Sequence, residues 1–357
     1  MKKALVVLLL LAFVGGGLFA QFTVSGRVNT GLGALKIGDG DLGFGLIAKD
    51  HWVDGMRTDI NVNLDNSDNT VGFRGRIRAV GAPTSSTAWN ASTQIRRAFG
   101  FVKGMGGLLE VQGGRIDDTQ IGAVDGLLGW GLYDSYGLLA YVNPTDIVKI
   151  GVGAHSNYVI SATTPWDANG LVGWAGLRVN LDIVKVAAQF RVSKADTRAY
   201  ASAGFNAGPA AIGVGGFFIG LTDFADAGIM YFTASARLNI LEGLGLWLGG
   251  IFGMNNAASD PFMGFGAEVD YTIAGVRPRL NVAYISGNAY GYGSGLNWWA
   301  NFDTTPTWNA NQSYLTVNPA VWFAGNRIEV GAVVNLDMGS VSSNPGFGAY
   351  VNYNVAF

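Results

Sequence analysis

The sequence predicts an all-β protein, a transmembrane antiparallel β-barrel of about 16–18 strands with an even strand number. Charged residues make up 13% of the 357 residues, while the chain has 54 glycines and 12% aromatic residues. A soluble domain carries about 25% charged residues. After residue 20 no run approaches the ~20 apolar residues that a membrane-spanning helix needs. Because only helices and closed barrels satisfy their backbone hydrogen bonds inside lipid, these observations favour a barrel.

The first twenty residues have the pattern of a secretory signal peptide. Lys2 and Lys3 precede an apolar run over residues 4–14, and small residues then lead to Ala20. The run is too short to span a bilayer, so we expect cleavage after residue 20 and a barrel over residues 21–357, with an N-terminal membrane anchor as the alternative. Removing two of the 23 basic residues leaves 21 against 25 acidic residues, which argues against a nucleic-acid partner.

Segments with an apolar residue at every second position recur through the rest of the chain. Such alternation is typical of a strand with one lipid-facing and one water-facing side. The predicted strands are residues 22–35, 57–65, 71–80, 95–103, 108–115, 137–143, 147–156, 171–181, 183–193, one or two within 199–221, then 229–238, 243–252, 264–273, 276–286, 314–323, 327–337 and 346–357. Two strands within residues 199–221 give a total of about 18, whereas one strand gives an odd total that an even barrel would reduce to about 16. Pro319 lies inside a predicted strand and suggests a bulge there.

The alternation also assigns a face to individual side chains. Lipid is predicted to contact Ile60, Val62, Phe73, Ile77, Val330 and Val334. Water is predicted to contact Asn61, Arg74, Arg76 and Glu329. A shift of one residue in register would invert each of these assignments.

The predicted connections fall into two classes. Short turns are expected at residues 66–69, 104–107, 143–146, 239–242, 274–276 and 324–326. Longer loops are expected at residues 80–95, 116–136, 156–170, 253–263 and 287–313. Barrels of bacterial outer membranes have this asymmetry, with short periplasmic turns and longer extracellular loops. An even strand number then places both chain ends on the periplasmic side.

The last predicted strand, residues 346–357, reads G-F-G-A-Y-V-N-Y-N-V-A-F. Its odd-numbered residues are apolar or aromatic, and its even-numbered residues are small or polar except for Tyr350 and Ala356. An alternating strand that ends on an aromatic residue resembles the assembly signal of bacterial outer-membrane barrels. The resemblance implies that Phe357 and Tyr353 are read by the barrel assembly machinery, and that the protein lies in the outer membrane of a diderm bacterium.

Residues 98–115, A-F-G-F-V-K-G-M-G-G-L-L-E-V-Q-G-G-R, resemble the hairpin of Gram-negative general porins that precedes their constriction loop. The order that follows is also similar, because an acidic loop over residues 116–136 leads to a strand that ends at Asn143 and Pro144. The resemblance implies a passive channel, outer-membrane lipid as the surroundings, and a homotrimer. The loop lacks the Pro-Glu-Phe-Gly that is usual at its tip, so the sequence leaves open whether it folds into the lumen.

A porin needs a polar lumen with a narrow charged waist. The candidate pore-lining residues are Arg74, Arg76, Arg78 and Arg115, opposed by Asp117, Asp118 and Asp125. The first three arginines are spaced by two, so they project from one side of one strand. An infolded loop would oppose them with aspartates and shift selectivity towards cations, whereas an external loop would leave a pore that favours anions. The alternative is that these are ordinary lumen charges that pair with their neighbours.

The leading hypothesis is therefore a passive outer-membrane porin for small hydrophilic solutes, with no enzymatic activity, cofactor or metal. A surface-exposed adhesin or structural barrel with a plugged lumen is the alternative function. A soluble β-sandwich lectin is a third possibility that extraction without detergent would reveal. A catalytic role for one of the two histidines, His51 and His155, would need a Ser and an amide beside it on the lipid-facing surface, whereas His155 falls on the polar face, so both are weak candidates.

Overall fold

The computed structural model describes residues 21–37, 41–46, 56–83, 89–117, 120–125, 127, 132–156, 170–194, 197–256, 260–286, 313–337 and 346–357. Its strands are β1 Gln21–Ile37, β2 Gly43–Leu46, β3 Met56–Asp65, β4 Val71–Pro83, β5 Trp89–Gly104, β6 Leu109–Asp117, β7 Asp134–Val142, β8 Val148–Ser156, β9 Leu171–Asn180, β10 Val184–Val192, β11 Thr197–Ala207, β12 Ala210–Ile219, β13 Ile229–Leu241, β14 Leu244–Asn255, β15 Asp260–Tyr271, β16 Arg277–Ser286, β17 Ser313–Phe323, β18 Ile328–Asp337 and β19 Gly346–Ala356. The predicted signal peptide, His51, Asp118 and almost all of the loop 287–313 lie outside the described residues. No described helix is long and apolar enough to cross a membrane.

The strands form one closed antiparallel barrel. From β3 onward each strand pairs with the next along the chain, and the first strand also pairs with the last through the register Arg27↔Ala356. Strands β2 and β3 both pair with β1, at Leu32↔Leu46 and Asn29↔Arg57, so together they occupy one strand position of the barrel. The described strands therefore fill 18 strand positions around the barrel. This confirms the predicted barrel and the interpretation of residues 199–221 as two strands, β11 and β12.

The connections confirm the predicted asymmetry. Short turns join β3 to β4, β5 to β6 and each later pair in this series on the side of the barrel where both chain ends lie, which we call the turn side. The turn after β5 contains Gly106 and Gly107 with φ of 67° and 94°, a left-handed conformation that glycine adopts without strain. The connections on the opposite side, the loop side, are mostly longer. The predicted loop 80–95 is shorter than expected, because β4 extends to Pro83 and β5 begins at Trp89.

The predicted faces are also confirmed. In β19, Phe347 and Val351 are 54% and 47% exposed on the outer surface, whereas Tyr350 and Asn352 are buried on the inner surface. Val330 is likewise exposed on the outer surface of β18. One assignment needs correction, since Glu329 lies on the inner face but has no exposed surface. Arg279 Nη2 donates to Glu329 Oε1 over 2.6 Å and the Tyr350 hydroxyl donates to the same oxygen over 2.9 Å, so the carboxylate faces protein groups instead of water.

Pro319 does not produce the predicted bulge. The register between β17 and β18 is the same before and after it, as Val317↔Val334 and Ala320↔Gly331 show. Only the pairing of residues 318 and 319 with β18 is interrupted, which accommodates the missing N–H of the proline. Bulges occur instead in β4–β5 at Arg76/Ile77 and in β13–β14 at Asn239/Leu241.

Candidate pore constriction

The described residues of the connection between β6 and β7, 120–125, 127, 132 and 133, lie in the lumen, which bears on the question that the sequence left open. The backbone carbonyl of Ile121 accepts hydrogen bonds from Gln189 Nε2 of β10 at 2.7 Å and from the Tyr200 hydroxyl of β11 at 2.8 Å. Further along, the N–H of Leu132 donates to Gln189 Oε1 over 2.5 Å. Inner-face side chains therefore satisfy the loop backbone, which a lumen-spanning loop requires wherever water is excluded. We call this segment the inner loop.

The tip of the inner loop is fastened to the far side of the barrel. The N–H of Val124 donates to Ser202 Oγ over 3.0 Å. Asp125 is buried, its carboxylate accepts a hydrogen bond from the Thr233 hydroxyl, and its backbone carbonyl accepts one from the Ser235 hydroxyl. Both hydroxyls lie on β13, which is the twelfth of the 18 strand positions. β4 is the third position, so β13 lies nine positions away, on the opposite side of the barrel.

Glycines on the wall make room for this approach. A Cβ atom on Gly213 would lie 2.3 Å from the backbone oxygen of Asp125, and one on Gly204 would lie 2.6 Å from that of Val124. These separations are too short for any side chain, so the loop rests directly on the backbone of β11 and β12. Part of the high glycine content of the sequence is therefore a requirement of the inner loop.

Apolar packing completes the attachment. Ile121, Leu127 and Tyr133 of the inner loop are almost fully buried among inner-face side chains, and Tyr133 packs edge-on against Trp174 of β9 at 5.7 Å between ring centroids. Tyr133 also packs edge-on against His155, with 5.1 Å between ring centroids. Fully burying a side chain of this size is worth about 1.5–3 kcal/mol. The inner loop is therefore a packed part of the barrel, and β8–β14 with the inner loop upon them are called the loop-bearing wall.

The opposite wall carries a cluster of arginines around one carboxylate. Asp59 of β3 accepts from Arg78 Nε at 2.7 Å, from Arg57 Nε at 3.0 Å and from Arg27 Nε at 3.1 Å. The register Arg27↔Asp59↔Arg78 places these residues side by side on the inner face of β1, β3 and β4. One aspartate therefore neutralises only part of the charge of three neighbouring guanidinium groups.

Two more arginines extend the cluster. Arg76 Nε donates to the neutral Asn61 Oδ1 over 2.8 Å, and its register partner on β5 is Arg97. Arg97 Nη2 reaches Asp117 Oδ2 at 3.3 Å. We call Arg27, Arg57, Arg76, Arg78 and Arg97, with Asp59 and Asp117, the arginine wall. Its five guanidinium groups against two carboxylates leave an excess of three positive charges among these described residues.

The remaining sequence-predicted residues lie in different places. Arg74 lies near the turn side, where its Nη1 donates to Asp65 Oδ1 over 2.7 Å. Asp125 is on the opposite wall, where its carboxylate accepts a hydrogen bond from the Thr233 hydroxyl. Arg115 does not line the lumen, because it shares the outer face of β6 with Val111 and its guanidinium lies 5.6 Å from the ring centre of Tyr136.

The sequence did not identify Arg57 or Arg97 as part of the site. Alternation counted from the outward-facing Ile95 would place Arg97 on the outer surface as well. The bulge opposite Arg76 and Ile77 inserts Arg96 as an extra residue, and this turns Arg97 inward. Arg57 lies at the start of β3, where its partners on β1 and β4 become clear only from the register.

A second charged group lines the turn side of the lumen. Asp270 accepts from Arg237 Nη2 at 2.6 Å and from Arg277 Nε at 3.1 Å. Arg279 pairs with Glu329 as described, and Glu268 lies 3.9 Å from each of the three arginines. Three arginines face three carboxylates, so this group carries no excess charge. Within the described residues no group of three or more His, Cys, Asp or Glu could hold a metal ion.

No family model and no curated protein matches the sequence. Solved structures do match the fold. Pseudomonas aeruginosa OpdQ aligns with a TM-score of 0.58 at 8% identity, over 96% of this chain and 100% of that one. Pseudomonas aeruginosa OccK1 (OpdK) aligns with a TM-score of 0.55 at 10% identity, over 94% and 99% of the two chains. The chain has the barrel fold of an outer-membrane protein.

Acinetobacter baumannii OccAB3 is similar to the same extent, with a TM-score of 0.54 at 9% identity, over 94% of this chain and 99% of that one. Identities of 8–10% carry a likeness of the fold and not of individual residues. At that level the predicted porin-type barrel fold is confirmed, and the likeness agrees with the predicted outer-membrane location. The arginine wall and the inner loop rest on the geometry of this chain alone.

Proposed function

We propose that the chain is a passive channel for small hydrophilic solutes and that it favours anions. The observation that carries the proposal is the excess of three positive charges on the arginine wall, opposite a loop whose buried Asp125 is bonded to Thr233. Arginine keeps its charge at any relevant pH. A low-dielectric wall focuses this field into the lumen and raises the local concentration of anions.

The inner loop narrows the lumen from one side. Its hydrogen bonds go to β10, β11 and β13, so it follows the loop-bearing wall. The side chain of Arg27, on the opposite wall, is 41% exposed, so solvent reaches the inner face of β1. This geometry favours a channel over the alternative of a surface-exposed adhesin or structural barrel with a plugged lumen.

Planar-bilayer recording of the refolded full chain tests the proposal. A passive channel gives stable open-channel steps whose conductance scales with salt concentration. A plugged adhesin gives no steps although the barrel retains its heat-modifiable electrophoretic mobility. No catalytic step belongs to this mechanism, since diffusion through the lumen changes no bond in the solute.

The proposed anion preference extends to small organic carboxylates. OpdK, one of the structures with a similar fold, has been crystallised with vanillate. Guanidinium groups recognise carboxylates through paired, charge-assisted hydrogen bonds, so the arginine wall offers suitable chemistry for such solutes. Liposome swelling with a small carboxylate and with a neutral solute of equal size tests the preference. A channel that prefers carboxylates should admit the carboxylate faster. Equal rates for both solutes would contradict the carboxylate preference.

Assembly also belongs to the proposal. We infer export through residues 1–20 and recognition of Phe357 and Tyr353 by the barrel assembly machinery, as the sequence resemblance implies. A homotrimer follows only from that resemblance. Chemical cross-linking of the protein in native membranes tests it, because a trimer gives a ladder that ends at three subunits.

A further inference from the structure

The root of the inner loop, at Gln120, is held by polar groups that are separate from those that fasten the tip. Gln120 Nε2 donates to Glu110 Oε1 of β6 over 2.9 Å, and Gln120 Oε1 accepts a hydrogen bond from Lys149 Nζ of β8. The backbone carbonyl oxygen of Gln120 also accepts from Arg178 Nη1 of β9 over 3.3 Å. A single residue of the inner loop is therefore bonded to three strands of the barrel.

Glu110 is the carboxylate on the barrel wall that this group surrounds. It is 8% exposed, and Gln112 Nε2 donates to its Oε1 atom over 2.6 Å. A buried carboxylate needs hydrogen-bond donors, because it has lost much of its hydration. Gln120 supplies the second hydrogen bond to the same oxygen, and it does so from the loop and not from the wall. Release of the loop root would therefore leave the carboxylate with one donor fewer.

The amide of Gln120 joins an anion to a cation. An amide has a donor end and an acceptor end, so Nε2 suits the carboxylate of Glu110 and Oε1 suits the ammonium group of Lys149. Both hydrogen bonds involve a charged partner, which makes them stronger than bonds between neutral groups. The Lys149 ammonium group also lies 5.3 Å from the ring centre of Tyr141 on the wall. A glutamate at position 120 could bond to Lys149 but would repel Glu110, so the position favours the amide.

We propose that Gln120 is a positioning residue of the pore constriction, and that its bonds to Glu110 and Lys149 hold the root of the inner loop against the wall. The tip has its own attachment through Val124 and Asp125, so the root can be released separately. The inference rests on the proposed function for its consequence, which is that release of the root widens the channel. The attachment itself does not depend on conduction and can be tested without it.

Labelling of a single cysteine in the full chain tests the proposal. Ala123→Cys places a thiol at a partly buried position of the inner loop, and the chain has no cysteine of its own. Gln120→Glu, added to this parent variant, removes the donor to Glu110 and opposes two carboxylates. A thiol reagent should then label the folded barrel in detergent about tenfold faster, which corresponds to the loss of one hydrogen bond to a charged group. Each variant is first checked for a folded barrel by heat-modifiable mobility.

The exchanged pair, Glu110→Gln with Gln120→Glu, separates positioning from a general loss of packing. It keeps the net charge, and the amide at position 110 can donate to the carboxylate at position 120, which still faces Lys149. The labelling rate should therefore return to that of the parent. Gln94→Glu is the matched control, because it adds the same charge on the inner face of β5, where Gln94 is exposed opposite Arg78. It should leave the labelling rate unchanged.

Three results would overturn the proposal: unchanged labelling in Gln120→Glu, no recovery in the exchanged pair, or an equal acceleration by Gln94→Glu. If Gln120→Glu fails to fold, Gln120→Ala decides, since it removes both side-chain hydrogen bonds without adding a charge, and unchanged labelling would overturn the proposal. In planar bilayers the Gln120→Glu channel should have a higher single-channel conductance, and faster labelling with unchanged conductance would contradict a role in the width of the channel. Absence of channel steps in the unmodified protein would contradict the proposed function, whereas the labelling rates would still decide whether Gln120 holds the loop.

Discussion

The two sides of the lumen are built on different principles. The arginine wall holds like charges together around Asp59, with three guanidinium groups within 3.1 Å of its oxygens. The loop-bearing wall carries the inner loop on the glycine backbone of β11 and β12, with side-chain donors from β10, β11 and β13. The first wall therefore depends on electrostatic compensation and the second on shape.

In the proposed channel the two walls have different roles. The arginine wall has five guanidinium groups against two carboxylates, which is what the proposed anion preference requires. The inner loop is held by hydrogen bonds to its described backbone groups, and its described carboxylate, Asp125, is buried. Substitutions in the two walls should therefore change different measured properties, mainly stability for the arginine wall and both stability and conductance for the loop-bearing wall.

The largest effect is expected at the centre of the arginine wall. Asp59→Asn leaves Arg27, Arg57 and Arg78 without their shared carboxylate, and breaking a buried ion pair on one side costs about 3–5 kcal/mol. Asp65→Asn is the matched control, since Asp65 is more exposed than Asp59 (13% against 5%) and pairs with Arg74, so its loss should cost about 1 kcal/mol or less. Urea unfolding in lipid vesicles measures both. Equal losses would show that the clustering around Asp59 contributes no additional stability.

The next effect tests the shape of the loop-bearing wall. Gly213→Ala places a Cβ 2.3 Å from the Asp125 backbone oxygen, so the inner loop must move. Overpacking of this kind costs about 1–3 kcal/mol, and displacement of the loop should raise the single-channel conductance. Gly250→Ala is the control, because its Cβ would lie 3.7 Å from the nearest atom outside its own neighbours. A Gly213→Ala channel with unchanged stability and conductance would contradict the close packing of the inner loop.

Much of the fold follows from the sequence, because the two-residue period of side-chain faces survives in almost every strand. The alternation in residues 57–65 and 346–357 assigned the faces of β3 and β19 correctly. The site could be predicted only in part. The spacing of Arg74, Arg76 and Arg78 indicated a charged inner face, but Asp59 became its centre through the register of β1, β3 and β4.

Two features could not be predicted, each for a physical reason. The bulge opposite Arg76 inverts the face of Arg97, and single-residue insertions have no reliable sequence pattern. The attachment of the inner loop depends on Thr233 and Ser235, more than one hundred residues away in the chain.

Phe357 closes the barrel on the turn side, at the end of β19 where that strand pairs with β1. Its backbone N–H and carbonyl bond to Gly26 at 2.9 and 2.7 Å, and its ring lies so close that a Cβ on Gly26 would meet it at 2.5 Å. The ring is nevertheless 63% exposed on the outer surface. Phe357→Ser should therefore lower stability in refolding assays by only about 1 kcal/mol but strongly reduce insertion in cells.

Phe347→Ser is the matched control for this prediction, since Phe347 lies on the same face of β19 and is 54% exposed. It should insert in cells nearly as well as the unmodified protein. Outer-membrane fractionation and refolding into detergent give the two readouts. An equal loss in both settings for Phe357→Ser would mean that the residue acts through barrel stability alone.

The smallest energetic effect is expected from single cysteines that report the register of β3. Val62→Cys should be protected by lipid, and Asn63→Cys should react from the lumen with a membrane-impermeant thiol reagent. The chain has no cysteine of its own, so the label reports only the introduced position. Labelling at residue 62 with protection at residue 63 would invert the inner and outer faces and remove the arginine wall from the lumen.

The zero-current potential across a KCl gradient tests the central claim most directly. The unmodified channel should favour anions, and the triple variant Arg76→Gln, Arg78→Gln, Arg97→Gln should shift the potential towards cations. The shift should shrink in high salt, because the Debye length falls from about 10 Å at 0.1 M to about 3 Å at 1 M. Arg327→Gln, in an exposed turn after β17, should change the potential much less. A cation-selective unmodified channel, or no shift in the triple variant, would contradict the arginine wall as the source of selectivity.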